Sequence, residues 1–129
     1  MVSAPHPLIL IVAERHEEHA WLAAYIRAAG YAVAASDDTD AARKIDHLHP
    51  EALLVDTGRL DAAGDARRVQ ALRPLTACPL LVVVDRDDQD TGPAALDAGA
   101  DDFLRRPIVV QELRARLEAH LRPRPARGA

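Results

Sequence analysis

Two stretches of unbroken apolar sequence, Leu8–Val12 and Leu80–Val84, have the length of strands and no polar position to turn toward water. A strand covered by helices on both faces is written this way. A third run, residues 52–55, is also apolar and ends in Asp56. Residues 31–35 are a weaker version and predict a strand near a sheet edge, and residues 102–104 predict a short fifth strand. Between these runs the polarity changes to a helical period. Residues 17–29 put Leu22, Ile26 and Ala29 on one side, with Gly30 closing the helix. Asp38 or Thr39 is the predicted cap of a second helix that runs to about His49, where Pro50 stops it. Ala66, Val69 and Leu72 form the inward side of a third, ending before Pro74. Gly92 and Pro93 confine the fourth helix to a short span from near Thr91 to Gly99, because proline is tolerated only in a first turn. Leu113, Leu117 and Leu121 stripe a last helix over 109–121.

Strands and helices thus alternate strictly, which predicts an α/β domain: a doubly wound, three-layer parallel sheet with right-handed crossovers and helices on both faces. The first and third strands, the most uniformly apolar with the fourth, are expected at its centre. The C-terminal strand ends then gather residues 13–15, 56–59, 84–86 and 105–107 on one rim, the place where open α/β sheets bind ligands. Asp56 is the lone carboxylate that a core strand delivers to that rim.

Composition narrows the function classes. At 129 residues the chain predicts one domain over 8–122, preceded by an extension (1–7) and followed by a Pro/Arg-rich tail (123–129). That tail reads as a linker stub or a frayed terminus. A net charge of −4 gives no electrostatic drive toward nucleic acid or an anionic membrane. Cys78 is the single cysteine, so no internal disulfide is expected, and the start has no basic signal-peptide region; a cytoplasmic location is the expectation. His16 and His19, and His47 and His49, lack a third ligand nearby and read as surface histidines. Arg67 and Arg68 read as part of a solvated face, and Trp21 as lying at the helix surface.

The segment 94–107, AALDAGADDFLRRP, carries a family resemblance. With the strand-end Asp56, and Gly64 eight residues on, it resembles the fourth helix, fifth strand and basic-Pro step of response-regulator receiver domains. The resemblance extends over residues 8–122. It implies the flavodoxin-like, chemotaxis-receiver fold with strand order 2-1-3-4-5, a cis peptide before Pro107, and a role in a two-component phosphorelay. Asp56 then matches the acceptor of a phosphoryl group from a histidine kinase or phosphotransfer protein. The Mg²⁺ ligands would be Glu14, Asp56 and the backbone carbonyl of Gly58.

The match also shows departures that make this an atypical receiver. Ala13 stands where the family has the first acidic residue, and Glu14 replaces the second. Val84 replaces the hydroxyl residue that contacts the phosphoryl group, Arg106 replaces a lysine, and Leu60 replaces a loop proline. Phe103 takes the aromatic switch position. These changes are expected to weaken Mg²⁺ binding or abolish it, and the coupling of phosphorylation to shape is the expected casualty. Ala13, Asp85 and Arg86 are positions expected to modulate the site. Glu14, Asp56 and Arg106 leave one net negative charge and Asp85 adds a second. Asp85 either pairs with Arg106 at rest, holding it away from Asp56, or faces water among Asp87, Asp88 and Asp90.

Two functions follow. One is a receiver phosphorylated at Asp56 that relays through the face of its fourth helix, fifth strand and fifth helix, without enzymatic turnover of its own. The other is a degenerate receiver acting as a phosphorylation-independent interaction module. Asp97, Asp102 and Arg116 match charged positions used in homodimers on that face, and an output domain in a longer parent is a further expected partner. An Asp-nucleophile phosphohydrolase is disfavoured, because the position two residues after Asp56 is Gly58 rather than a second carboxylate. No Gly-rich turn follows the first strand, which argues against dinucleotide binding.

Overall fold

The computed structural model describes residues 6–58 and 60–122. Five strands, β1 (Leu8–Val12), β2 (Ala32–Ser36), β3 (Ala52–Asp56), β4 (Leu80–Val84) and β5 (Asp102–Arg105), alternate with five helices. The helices are α1 (His16–Ala28), α2 (Asp38–Leu48), α3 (Ala62–Leu72), α4 (Thr91–Ala98) and α5 (Val110–Leu121), with a 3-10 turn at Arg73–Leu75. All neighbouring strands are parallel, in the order β2-β1-β3-β4-β5. The middle strand is therefore β3, flanked by β1 and β4, and the weak second strand lies at an edge as its sequence indicated. Residues 1–5 and 123–129, which hold most of the expected N-terminal extension and the whole tail, lie outside the described residues.

Alternate side chains of each strand feed two separate apolar layers, as a pleat with a period of two requires. Ile9, Ile11, Leu54 and Leu81 pack with Leu22 and Ile26 of α1 and with Leu113 and Leu117 of α5. Leu10, Leu53, Val55 and Val82 pack on the other face against Ala41 and Ile45 of α2, Val69 and Leu72 of α3, and Ala95 of α4. Every residue of β3 and β4 is buried, which accounts for their unbroken apolar runs.

The cap of α2 falls one residue earlier than expected. Asp37, not Asp38 or Thr39, is the N-cap, its side chain accepting from Asp40 N at 2.8 Å. Asp38 is instead the first helical residue, and its carboxylate holds Arg68. At the far end His49 closes the helix at φ 49°, directly before Pro50. Asp61 caps α3, accepting from Gly64 N at 2.7 Å, and so fixes the start of the helix that follows β3.

Candidate functional site

Asp56 ends β3 opposite Val83 of β4, with only 4 % of its surface exposed. A carboxylate this deep costs free energy unless a charge or donors meet it. Its carbonyl oxygen accepts from Arg68 Nη1 at 2.7 Å. Its Oδ1, fully buried, lies in an ion pair with Arg106 Nη2. Arg106 follows β5, where its backbone N–H donates to Val84 O at 2.9 Å and the next peptide, to Pro107, is cis. The same guanidinium donates through Nη1 to Asp85 Oδ1 at 3.0 Å and to Thr57 O at 3.4 Å. The pairing of Asp85 with Arg106 is thus present, but the expectation that it draws the arginine away from Asp56 is overturned. A guanidinium presents several donors in a fixed fork, so one arginine serves both carboxylates, which the point charge of a lysine does poorly.

Gly58 sits beneath this bridge at φ +112°, and a Cβ there would come within 2.7 Å of Asp85 Oδ2. Both the backbone and the close approach of Asp85 therefore require glycine at this position. The Gly58 N–H points to Asp65 Oδ2 at 3.4 Å. Asp65 is wholly buried and pairs with Arg68 at 3.0 Å, while Arg68 also takes Asp38 through Nε at 2.6 Å and Nη2 at 2.9 Å. Burial pushes the Asp65 carboxyl up, outweighing the bonds from Arg68 and Gly58. The reading of Arg68 as a solvated residue is wrong: its side chain is only 10 % exposed and ties α2 and α3 to the end of β3. Its neighbour Arg67 is exposed, as expected.

The expected cation ligands are arranged differently. Ala13 is buried, and its carbonyl accepts from His19 Nε2 at 2.6 Å, the same nitrogen facing Ser36 O at 3.1 Å. A ring nitrogen between two carbonyls carries the proton, so His19 is a half-buried structural donor, not the surface histidine expected. The side chain of His16 lies outside the described residues. Glu14 is exposed and turned toward α2, where Oε1 accepts from Asp38 N at 3.3 Å. Among the described residues no cluster of three acidic, histidine or cysteine side chains is placed to hold a metal. As arranged, these residues do not fit Mg²⁺: Asp56 is already neutralised by a guanidinium, and Glu14 is directed elsewhere.

Val84 is wholly buried in the layer that includes Phe103, so the residue replacing a hydroxyl is part of the core. The Phe103 ring is half-buried and lies so close to Gly92 that a Cβ there would come within 2.9 Å of it. The Arg105 guanidinium sits 5.5 Å from the ring centre, and its Nη1 donates to Asp88 O at 2.6 Å. The aromatic position is thereby fixed between a helix that needs glycine and a cation over its face.

On the face of α4, β5 and α5, Asp97 is exposed. Asp102 binds Arg116 Nη1 through both oxygens, at 2.9 and 3.0 Å, and His120 Nε2 at 3.1 Å. Two of the three charges expected at a dimer face therefore satisfy each other within one chain. Although burial alone pushes the Asp102 carboxyl up, the bonds from His120 and Arg116 outweigh it and leave the group below the usual carboxylate range. A depressed folded value means that this stabilisation is complete above the ordinary carboxylate range and is lost as pH falls through the folded value. Urea midpoints are accordingly expected to fall less steeply below about pH 4 in Asp102→Asn than in the parent. Equal acid sensitivity of the two would refute the assignment.

No family model matches the chain. It is similar to the transcriptional regulatory protein PrrA of Mycobacterium leprae, 34 % identical over 122 residues that make up 93 % of this chain and 52 % of that protein. It is also similar to the response regulator MprA of the same organism, 38 % identical over 96 residues, covering 72 % of this chain and 41 % of that protein. The chain therefore spans about half or less of the length of these curated relatives. Among solved structures it resembles a response regulator from Chloroflexus aurantiacus, with 28 % identity and a TM-score of 0.74 over 93 % of this chain and 100 % of that one.

Proposed function

We propose that this chain, a receiver domain of the response-regulator family, relays signals through protein contacts that do not depend on a phosphoryl group at Asp56. The Arg106 bridge carries the reading. An attacking carboxylate needs an accessible, electron-rich oxygen, whereas Asp56 is buried and its Oδ1 is paired with Arg106. The group that would sense a phosphoryl oxygen is the buried Val84, which has no hydroxyl. On this reading the domain requires no Mg²⁺ and turns over no substrate. Its partners on this reading are a histidine kinase or phosphotransfer protein that docks without passing on its phosphoryl group, and an output domain in a longer parent, for which the unmatched half of the curated relatives leaves room. Among the described residues no helix is long and apolar enough to cross a membrane; a cytoplasmic place is part of the proposal.

A second reading, phosphoryl acceptance at Asp56, is favoured by one observation: the residue ends the central strand at the carboxyl rim of the sheet. Treatment with acetyl phosphate and excess Mg²⁺, followed by intact-mass measurement, separates the two. No acyl-phosphate adduct is expected. An adduct that forms on the parent and is absent from Asp56→Ala would overturn the proposal in favour of the phosphorylated receiver.

A further inference from the structure

We infer that the cavity between α1 and the segment after β5 binds a small amphipathic anion, an aromatic or aliphatic body carrying a carboxylate or sulfonate head. The inference does not depend on the reading of Asp56: Arg106, which pairs with Asp56, lines the cavity, but the head group is assigned to a different arginine, Arg86.

The cavity measures about 450 Å³, enough for a compact organic ligand. Its walls are Trp21, Leu22 and Tyr25 of α1 with Pro107 and Ile108. Trp21 is 67 % exposed although it is the only tryptophan in the chain, and its ring lies 6.0 Å from that of Tyr25 at an angle of 30°. Tyr25 is half-buried against the core, so the exposed Trp21 borders a concave apolar surface with area to bury that none of the described residues covers.

Charge selects the class of occupant. Three ionic side chains line the cavity: Glu17, Arg86 and Arg106. Arg106 is occupied by Asp56 and Asp85. Arg86 is exposed and makes no hydrogen bond or ion pair among the described residues. Its guanidinium is thus the donor fork available to a ligand, and such forks match carboxylate and sulfonate oxygens. Glu17 works against an anion, so the head group belongs at the Arg86 side with the apolar body against Trp21 and Ile108. A few polar groups around a mostly apolar wall is the usual make-up of a small-molecule site.

The probes are 8-anilinonaphthalene-1-sulfonate and its neutral counterpart N-phenyl-1-naphthylamine, each read by energy transfer from Trp21 and by its own emission. The sulfonate is expected to saturate a single site per chain and to bind more tightly than the neutral dye. Arg86→Ala is expected to weaken the sulfonate about tenfold, the loss of one charge-assisted hydrogen bond, and to leave the neutral dye unchanged. Glu17→Gln is expected to tighten the sulfonate. Trp21→Phe should abolish energy transfer while dye emission still reports binding. Both replaced charges are on exposed residues, so folding is not at issue. The inference fails if the sulfonate does not saturate, or if Arg86→Ala affects both dyes alike or neither. It also fails if binding appears only with a change in oligomeric state, which would make the surface a protein interface.

Discussion

Arg106→Ala is expected to lower the free energy of unfolding by about 2–3 kcal/mol near neutral pH, the larger part of it recovered by adding Asp56→Asn. Removing one partner of a buried ion pair costs roughly 3–5 kcal/mol, because the other charge is left in a low-dielectric site. The Arg106 side chain is 32 % exposed while that of Asp56 is 2 % exposed, so water replaces part of what the guanidinium supplied and the cost falls to the bottom of that range or below it. The carboxylate, not the arginine, bears the penalty. That asymmetry makes the double variant decisive: with Asn at position 56 no charge remains to be stranded, and the loss should shrink to the packing and neutral hydrogen bonding of the arm. Arg106→Lys should lie between, since one ammonium cannot span both Asp56 and Asp85 with the geometry of a fork. Urea unfolding of the four proteins provides the measurement. Equal stability of Arg106→Ala and the double variant would show that the buried charge is not what the arginine neutralises.

The same bridge marks how far residue patterns reach. Strand positions follow from apolar runs because burial on both faces leaves no room for polar residues, and β3 and β4 are buried throughout. The placement of Asp56, Asp85 and Arg106 on one rim follows from the alternation of strands and helices, and so does the possibility of an Asp85–Arg106 pair. That one guanidinium takes both carboxylates was not legible, because it depends on the reach of a side chain across two loops. Arg68 was less legible still. Next to Arg67 on a helix it looks like one of two solvated residues, and only the packing of α3 against α2 and β3 turns it inward. His19 shows the same limit, its role being fixed by the carbonyls of Ala13 and Ser36, 6 and 17 residues away in sequence.

Arg68→Met should then be the most damaging single replacement at this rim, costing about 3–5 kcal/mol. The arginine satisfies three separate groups: the Asp38 carboxylate, the carbonyl of Asp56 and the wholly buried Asp65. Asp65 decides the size of the effect. Its carboxyl is already pushed up by burial with Arg68 in place, and without that cation it rises further. A carboxyl raised in the folded state contributes stability below the ordinary carboxylate range and loses it as pH rises through the folded value. The deficit of Arg68→Met relative to the parent should therefore be largest at pH 7 and shrink as pH is lowered toward about 5, opposite in sign to the acid sensitivity supplied by Asp102. Adding Asp65→Asn to Arg68→Met should recover much of the deficit at pH 7 and remove its pH dependence. If the deficit is the same at both pH values, the cost comes from lost packing and from the freed Asp38 and Asp56 groups, and Asp65 is not the charge that Arg68 holds. Because Asp65 also accepts from the Gly58 N–H, the variant should shift the Gly58 amide resonance together with those of Asp56 and Thr57. The support of the C-terminal end of β3 would then be measured from α3, a helix that contributes no group to the Arg106 bridge.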